Sequence, residues 1–99
     1  MDCASQPTDC ARKLRILADV TRLAVMKILL EGPKCVGELN AILQLEQSLL
    51  SHHLRVLRQE GFVKATRQGK TMLYYLDPSV QSETSGKSLD LGCCLLSFH

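Results

Sequence analysis

The sequence predicts a mainly α-helical domain closed by a small β-hairpin, and three observations predict it. Apolar residues recur at helical spacing through the first half of the chain, with Leu23, Met26, Lys27 and Leu30 on one repeat. Residues 47–60 then form a strongly two-faced helix, with Leu50, Leu54 and Leu57 on one side and polar groups on the other, stopped by Gly61. Two short strand-like runs follow, joined by a basic turn at Gln68-Gly69 that Lys64, Arg67 and Lys70 surround. Helices ending in a DNA-reading position, followed by such a hairpin, make a winged helix-turn-helix.

The elements fall in order. Residues 1–8 read as a flexible N-terminus. Asp9 is a possible N-cap for a first short helix containing Leu14, Ile16, Leu17 and Ala18. A second helix opens at Asp19 or Val20, and Ala24, Ile28 and Leu29 widen its apolar stripe. Gly32-Pro33 terminates it. A third helix begins near Cys35 and runs through Val36, Leu39 and Ile42 to Leu43, and Gln44-Leu45-Glu46 turns tightly into the fourth. The domain therefore spans 9–78. Beyond Asp77-Pro78, residues 79–88 are polar and Ser-rich, a linker in which a stable helix is not expected. The apolar segment from Leu89 to Phe98 reads as a strand or a tucked-in tail, so 79–99 forms a linker and a cysteine-containing C-terminal tail.

Ninety-nine residues make one small domain, and with no tryptophan its core must be aliphatic. A second copy would bury further apolar surface and present two reading helices, so a homodimer is expected. No apolar run is long enough to span a bilayer, and MDCASQPTDC lacks the basic-then-apolar pattern of a signal peptide. The expected location is cytoplasmic, with no membrane partner. In that reducing compartment the five cysteines read as metal ligands, redox sensors or small buried hydrophobes rather than structural disulfides.

The polar side of the fourth helix carries Ser48, Ser51, His52, Arg55 and Gln59, the donors and acceptors needed to reach base edges and phosphates in a major groove. Ser48 to Gln59 covers about 16 Å of helix, enough to follow one groove passage. A solvated face has the same composition, so charge has to decide. Residues 51–70 hold five Lys or Arg against the single Glu60, although the whole chain is only +2. A modest total thus hides a concentrated basic patch. His53 lies on the flank, where a packed imidazole and a base reader are both open. Adjacent histidines point about 100° apart on a helix and chelate one ion poorly. A thiol enzyme finds no support: there is no Cys-x-x-Cys pair and no substrate loop.

The stretch LADVTRLAVMKILLEGPKCVGELNAILQLEQSLLSHHLRVLRQEGFVKATRQGKTMLYYLDP resembles the ArsR/SmtB family of bacterial metal- and metalloid-responsive repressors, most closely its arsenic-responsive members. The resemblance rests on the Leu-Ala-Asp-x-Thr-Arg-Leu entry to the second helix, the SxxSHHLRVLR helix with Gly61 after it, and a wing ending in Tyr74-Tyr75. It implies a homodimer that represses its operator and releases it when a thiophilic ion binds. It also implies DNA-facing roles for Gln47, Ser48, Ser51, His52 and Arg55, and wing contacts to DNA from Arg67 and Lys70.

The cysteines depart from that pattern. Arsenic-responsive members often carry Cys-Val-Cys-Asp-Leu in the third helix, and here the segment is Cys35-Val36-Gly37-Glu38-Leu39. A site made within that helix therefore cannot form. The family's zinc site on a C-terminal dimer helix is missing as well, since Glu83, Asp90 and His99 are the only such ligands beyond Pro78. What remains is Cys93-Cys94, with Cys35, Cys10 and Cys3 elsewhere. Vicinal thiols form a strained disulfide with each other but can share one soft centre. The resemblance makes As(III) or Sb(III) the expected inducer, ahead of zinc or copper(I). Cys93 and Cys94 are the expected ligands, with Cys35 at its helix N-terminus as third thiol and Cys10 as the substitute. Buried tail packing is the bland alternative for the pair. The functional alternative is a redox or reactive-sulfur sensor in which Cys35 links to a tail cysteine.

Overall fold

The computed structural model describes residues 7–82 and 87–98. Cys3, Glu83 and His99, all named above, lie outside those residues. The first helix, α1 (Pro7–Leu17), begins inside the stretch expected to be flexible. Proline suits the first helical turn because its missing N–H has no partner there, and Asp9 complements the helix dipole. The chain turns sharply at Ala18-Asp19 into α2 (Val20–Leu29), whose N-cap is Asp19: its carboxylate accepts from the Arg22 backbone N–H at 3.0 Å.

A two-residue strand, β1 (Lys34–Cys35), leads into α3 (Val36–Leu43). The recognition helix is α4 (Gln47–Gln59). Between them Gln44 takes a left-handed conformation at φ 54°, and the Asn40 side chain donates to the Leu45 carbonyl at 2.9 Å, fixing the turn. Two longer strands follow, β2 (Val63–Gln68) and β3 (Thr71–Leu76), antiparallel in register Val63↔Leu76 through Gln68↔Thr71. The turn between them is Gly69-Lys70, one residue later than the sequence suggests, with Gly69 at φ 65°. β1 pairs with the other side of β3, giving a three-stranded sheet in the order β1-β3-β2. Two residues carry too little pattern for β1 to be legible in advance.

One core joins the four helices, the wing strands and the tail. Leu50, Leu54 and Leu57 of α4 pack with Val25, Met26 and Leu29 of α2, Leu39 of α3, and Phe62, Val63 and Leu76. The tail belongs to it as well. After a short 3-10 turn at Pro78–Val80, strands β4 (Ser88–Asp90) and β5 (Leu95–Ser97) form a hairpin. This hairpin buries Leu89 and Leu91 completely in the same cluster. Its turn is held by Asp90, which accepts from the Gly92 N–H at 2.8 Å, and by the Leu91 N–H donating to the Cys94 carbonyl at 2.9 Å. Among the described residues no helix is long and apolar enough to cross a membrane.

Candidate nucleic-acid interface and thiol cluster

The leucine face of α4 fixes which way its polar face looks. With Leu50, Leu54 and Leu57 in the core, Gln47, Ser48, Ser51, His52, Arg55 and Gln59 are all exposed on the outer side. Arg67 and Lys70 are exposed in the wing, Arg67 opposite Met72 and Lys70 in the turn. The residues named from the sequence as DNA-facing therefore sit on α4 and on the hairpin that follows it. Two details were not visible in the sequence. Ser48 donates to the Glu46 carboxylate, so a phosphate at this helix start meets a hydroxyl already engaged and a negative charge beside it. Lys64 lies 3.9 Å from Asp77, which draws one wing cation towards the strand base.

His53 resolves to the packed alternative. It is 7% exposed, and its Nδ1 accepts a hydrogen bond from Arg22 Nε at 3.0 Å. An arginine only donates, so that Nδ1 carries no proton. The same guanidinium donates through Nη1 to the Ile16 carbonyl at 3.1 Å. The Asp19 carboxyl beside it is held below the usual carboxylate range, chiefly because it accepts from the Arg22 backbone N–H.

The second cluster lies between α1 and the tail. Cys10 and Cys93, 83 positions apart, are joined in a disulfide, and the Cys94 thiol lies 3.9 Å from Cys93 Sγ. All three sulfurs lie within 4.8 Å of one another. Lys13, one turn along α1 from Cys10, donates to the Leu91 carbonyl at 2.8 Å and pins the helix to the hairpin turn. Once the disulfide is reduced, this arrangement offers three thiolates to one ion. Among the described residues no imidazole or carboxylate joins the group. The donor set therefore fits a soft centre that takes three sulfurs, and it lacks the fourth ligand of a closed tetrahedral zinc site.

Cys35, expected as the third thiol, is not part of this cluster. It stands opposite Leu73 of β3 as the N-cap of α3, and its thiol donates to Glu38 Oε1 at 3.2 Å while its backbone N–H donates to the same oxygen at 3.0 Å. Those two bonds hold the Glu38 carboxyl below its usual range. The bond to Glu38 engages the thiol within α3, apart from the three sulfurs gathered between α1 and the tail. The helix N-terminus favours a thiolate at Cys35, but the Glu38 carboxylate three residues on engages that thiol. The signal for Cys10 was weaker still, a cysteine on a helix whose partner could be found only by folding the tail back.

A family profile described as bacterial regulatory protein, arsR family, matches residues 19–65. The structure of HlyU from Vibrio cholerae N16961 superposes with a TM-score of 0.71 at 34% identity, over 80% of this chain and 84% of HlyU. The chain belongs to the arsR family. This family of transcriptional regulators covers the α2 cap, the helix-turn-helix and the start of the wing. A cadmium resistance transcriptional regulatory protein CadC homologue of Staphylococcus aureus is 38% identical over 77% of this chain. The arsenical resistance operon repressor of Escherichia coli K12 is 40% identical over 67% of it. The chain spans 64% of the CadC homologue's length and 57% of the arsenical repressor's.

Proposed function

We propose that this chain is a DNA-binding transcriptional repressor that works as a homodimer in the cytoplasm and releases its operator when a thiophilic metalloid, arsenite or antimonite, binds Cys10, Cys93 and Cys94. The observation that carries the reading is the pairing of an exposed polar α4 face and basic wing with three sulfurs gathered within 4.8 Å. Gln47, Ser48, Ser51, His52 and Arg55 read base edges and phosphates, and Arg67 and Lys70 add wing contacts. Two recognition helices must reach half-sites about 34–36 Å apart, so a small change of spacing prevents simultaneous docking. The metalloid supplies a bond-forming centre that ties α1 to the tail. The chain's residues supply the thiolates and, through Lys13, hold the two segments together. Likeness to a cadmium-resistance regulator and an arsenical-resistance repressor supports a thiophilic inducer.

One observation favours a second reading. The Cys10–Cys93 bond is a disulfide, so oxidation alone could set the state of the same cluster. Fluorescence anisotropy on the DNA upstream of the gene separates the two. The fully reduced protein is titrated with arsenite, then zinc, copper(I) and a persulfide donor. Release by arsenite supports the metalloid reading. Release by persulfide or oxidant, with no response to arsenite, replaces it with the redox reading.

A further inference from the structure

The thiol cluster and the recognition helix are not neighbours, and α1 touches both. At its outer end α1 carries Cys10 in the cluster and Lys13 on the Leu91 carbonyl. It is also tied to α4 at two points. The first is a bidentate surface ion pair: Arg12 Nε and Nη2 donate to Glu60 Oε1 and Oε2 at 3.2 and 3.1 Å, and Glu60 caps the C-terminus of α4. The second is internal. Arg22 forks, one arm on the Ile16 carbonyl in the last turn of α1 and the other on Nδ1 of His53, which lies on the buried side of α4. Asp19 caps α2 through the backbone N–H of the same arginine. One guanidinium therefore joins α1, α2 and α4.

We propose that α1 is the lever between the thiol cluster and the recognition helix, and that Arg22 and His53 are positioning residues which transmit its displacement. This rests on the proposed sensing role of the cluster. A guanidinium has a rigid, planar set of donors, so two acceptors held at fixed ends cannot move independently of each other. If closing three sulfurs around one centre shifts α1, the Ile16 carbonyl moves with it. Arg22 must then follow, pulling His53, or abandon one of its two bonds. Either way the seat of α4 changes where Leu54, the next residue, enters the core. The ion pair at Arg12 works in parallel but is exposed, so salt screens it and it carries the smaller share.

Coupling is a ratio, and the ratio separates transmission from plain structural support. Operator affinity is measured with and without arsenite for the reduced full chain and for Arg22→Lys, His53→Leu, His53→Gln and Arg12→Gln. The wild type is expected to lose affinity by a factor of about 5–150 on adding arsenite, the usual range of such couplings. Arg22→Lys keeps the charge but replaces the planar fork with a point donor, and His53→Leu removes the acceptor. Both should bring the factor close to one, whatever they do to basal affinity, while arsenite still binds the DNA-free protein with unchanged affinity. His53→Gln restores an acceptor and should restore much of the factor. Arg12→Gln should lower it modestly, and less at high salt. A wild-type factor kept by both Arg22→Lys and His53→Leu overturns the lever while leaving the sensing role intact. A wild type that ignores arsenite overturns both.

Discussion

The recognition helix and the tail hairpin both feed leucines into one core, yet they are held in opposite ways. Helix α4 is thirteen residues long and pairs most of its backbone within itself, while its leucine face packs on the core. The hairpin has strands of three residues and would not persist alone. It is fixed from outside, by Leu89 and Leu91 in the core, by Lys13 on its turn, and by the link from Cys93 to Cys10. A helix with its own hydrogen-bond ladder and one face in the core suits a surface that must meet DNA in one shape. A segment held by contacts from a distant helix suits a site whose state can change when those contacts do.

Core truncation gives the largest effect and asks whether the hairpin is truly structural. Leu54→Ala and Leu89→Ala should each cost about 2–5 kcal/mol in denaturant unfolding of the reduced protein, because both side chains are essentially fully buried. Leu95→Ala, at 58% exposure in the same hairpin, should stay within about 0.5 kcal/mol. A Leu89→Ala cost as small as that of Leu95→Ala would detach the tail from the core.

Next come the two kinds of DNA contact. Ser51→Ala or His52→Ala should lose about 1–3 kcal/mol of discrimination between operator and altered operator. Arg67→Ala should instead weaken binding to all sequences alike and reduce the salt slope by about one. Competition anisotropy at several salt concentrations reads both. The same profile for all three variants would dissolve the distinction between reading helix and wing.

The smallest effect concerns the corner between α1 and α2. Asp19→Ala removes an N-cap and should cost about 1 kcal/mol near neutral pH. The folded carboxyl sits below its usual range because it accepts from the Arg22 N–H. Its stabilisation is therefore present above the unfolded value and disappears as pH falls through the folded one. Wild type and variant should converge in acid, and a gap that widens on acidification would contradict the cap.

This gradient follows what could be read in the chain. The α4 face, Gly61, the wing and the Asp19 corner are local patterns, visible within a window of a few turns, and they stand where the sequence suggests. The turn at Gly69-Lys70 moved by one residue because either neighbour of Gly69 can close the hairpin. β1 was invisible because two residues have no period. The thiol cluster was half visible: Cys93-Cys94 stood out, but the third sulfur comes from 83 positions away, and no spacing rule reaches that far. Cys35 attracted the assignment through its helix position, and the carboxylate of Glu38 that engages its thiol becomes evident only once α3 is folded. His53 followed the same rule, since its partner Arg22 lies 31 positions earlier.

The thiol cluster is tested by comparing Cys10, which lies in it, with Cys35, which does not. Reduced Cys10→Ser and Cys35→Ser proteins are bound to operator DNA and titrated with arsenite, with anisotropy reporting release. Both should bind DNA as the wild type does; Cys10→Ser should no longer release it, and Cys35→Ser should release it normally. Release that survives in Cys10→Ser and fails in Cys35→Ser would contradict the cluster between α1 and the tail and return the third thiol to α3.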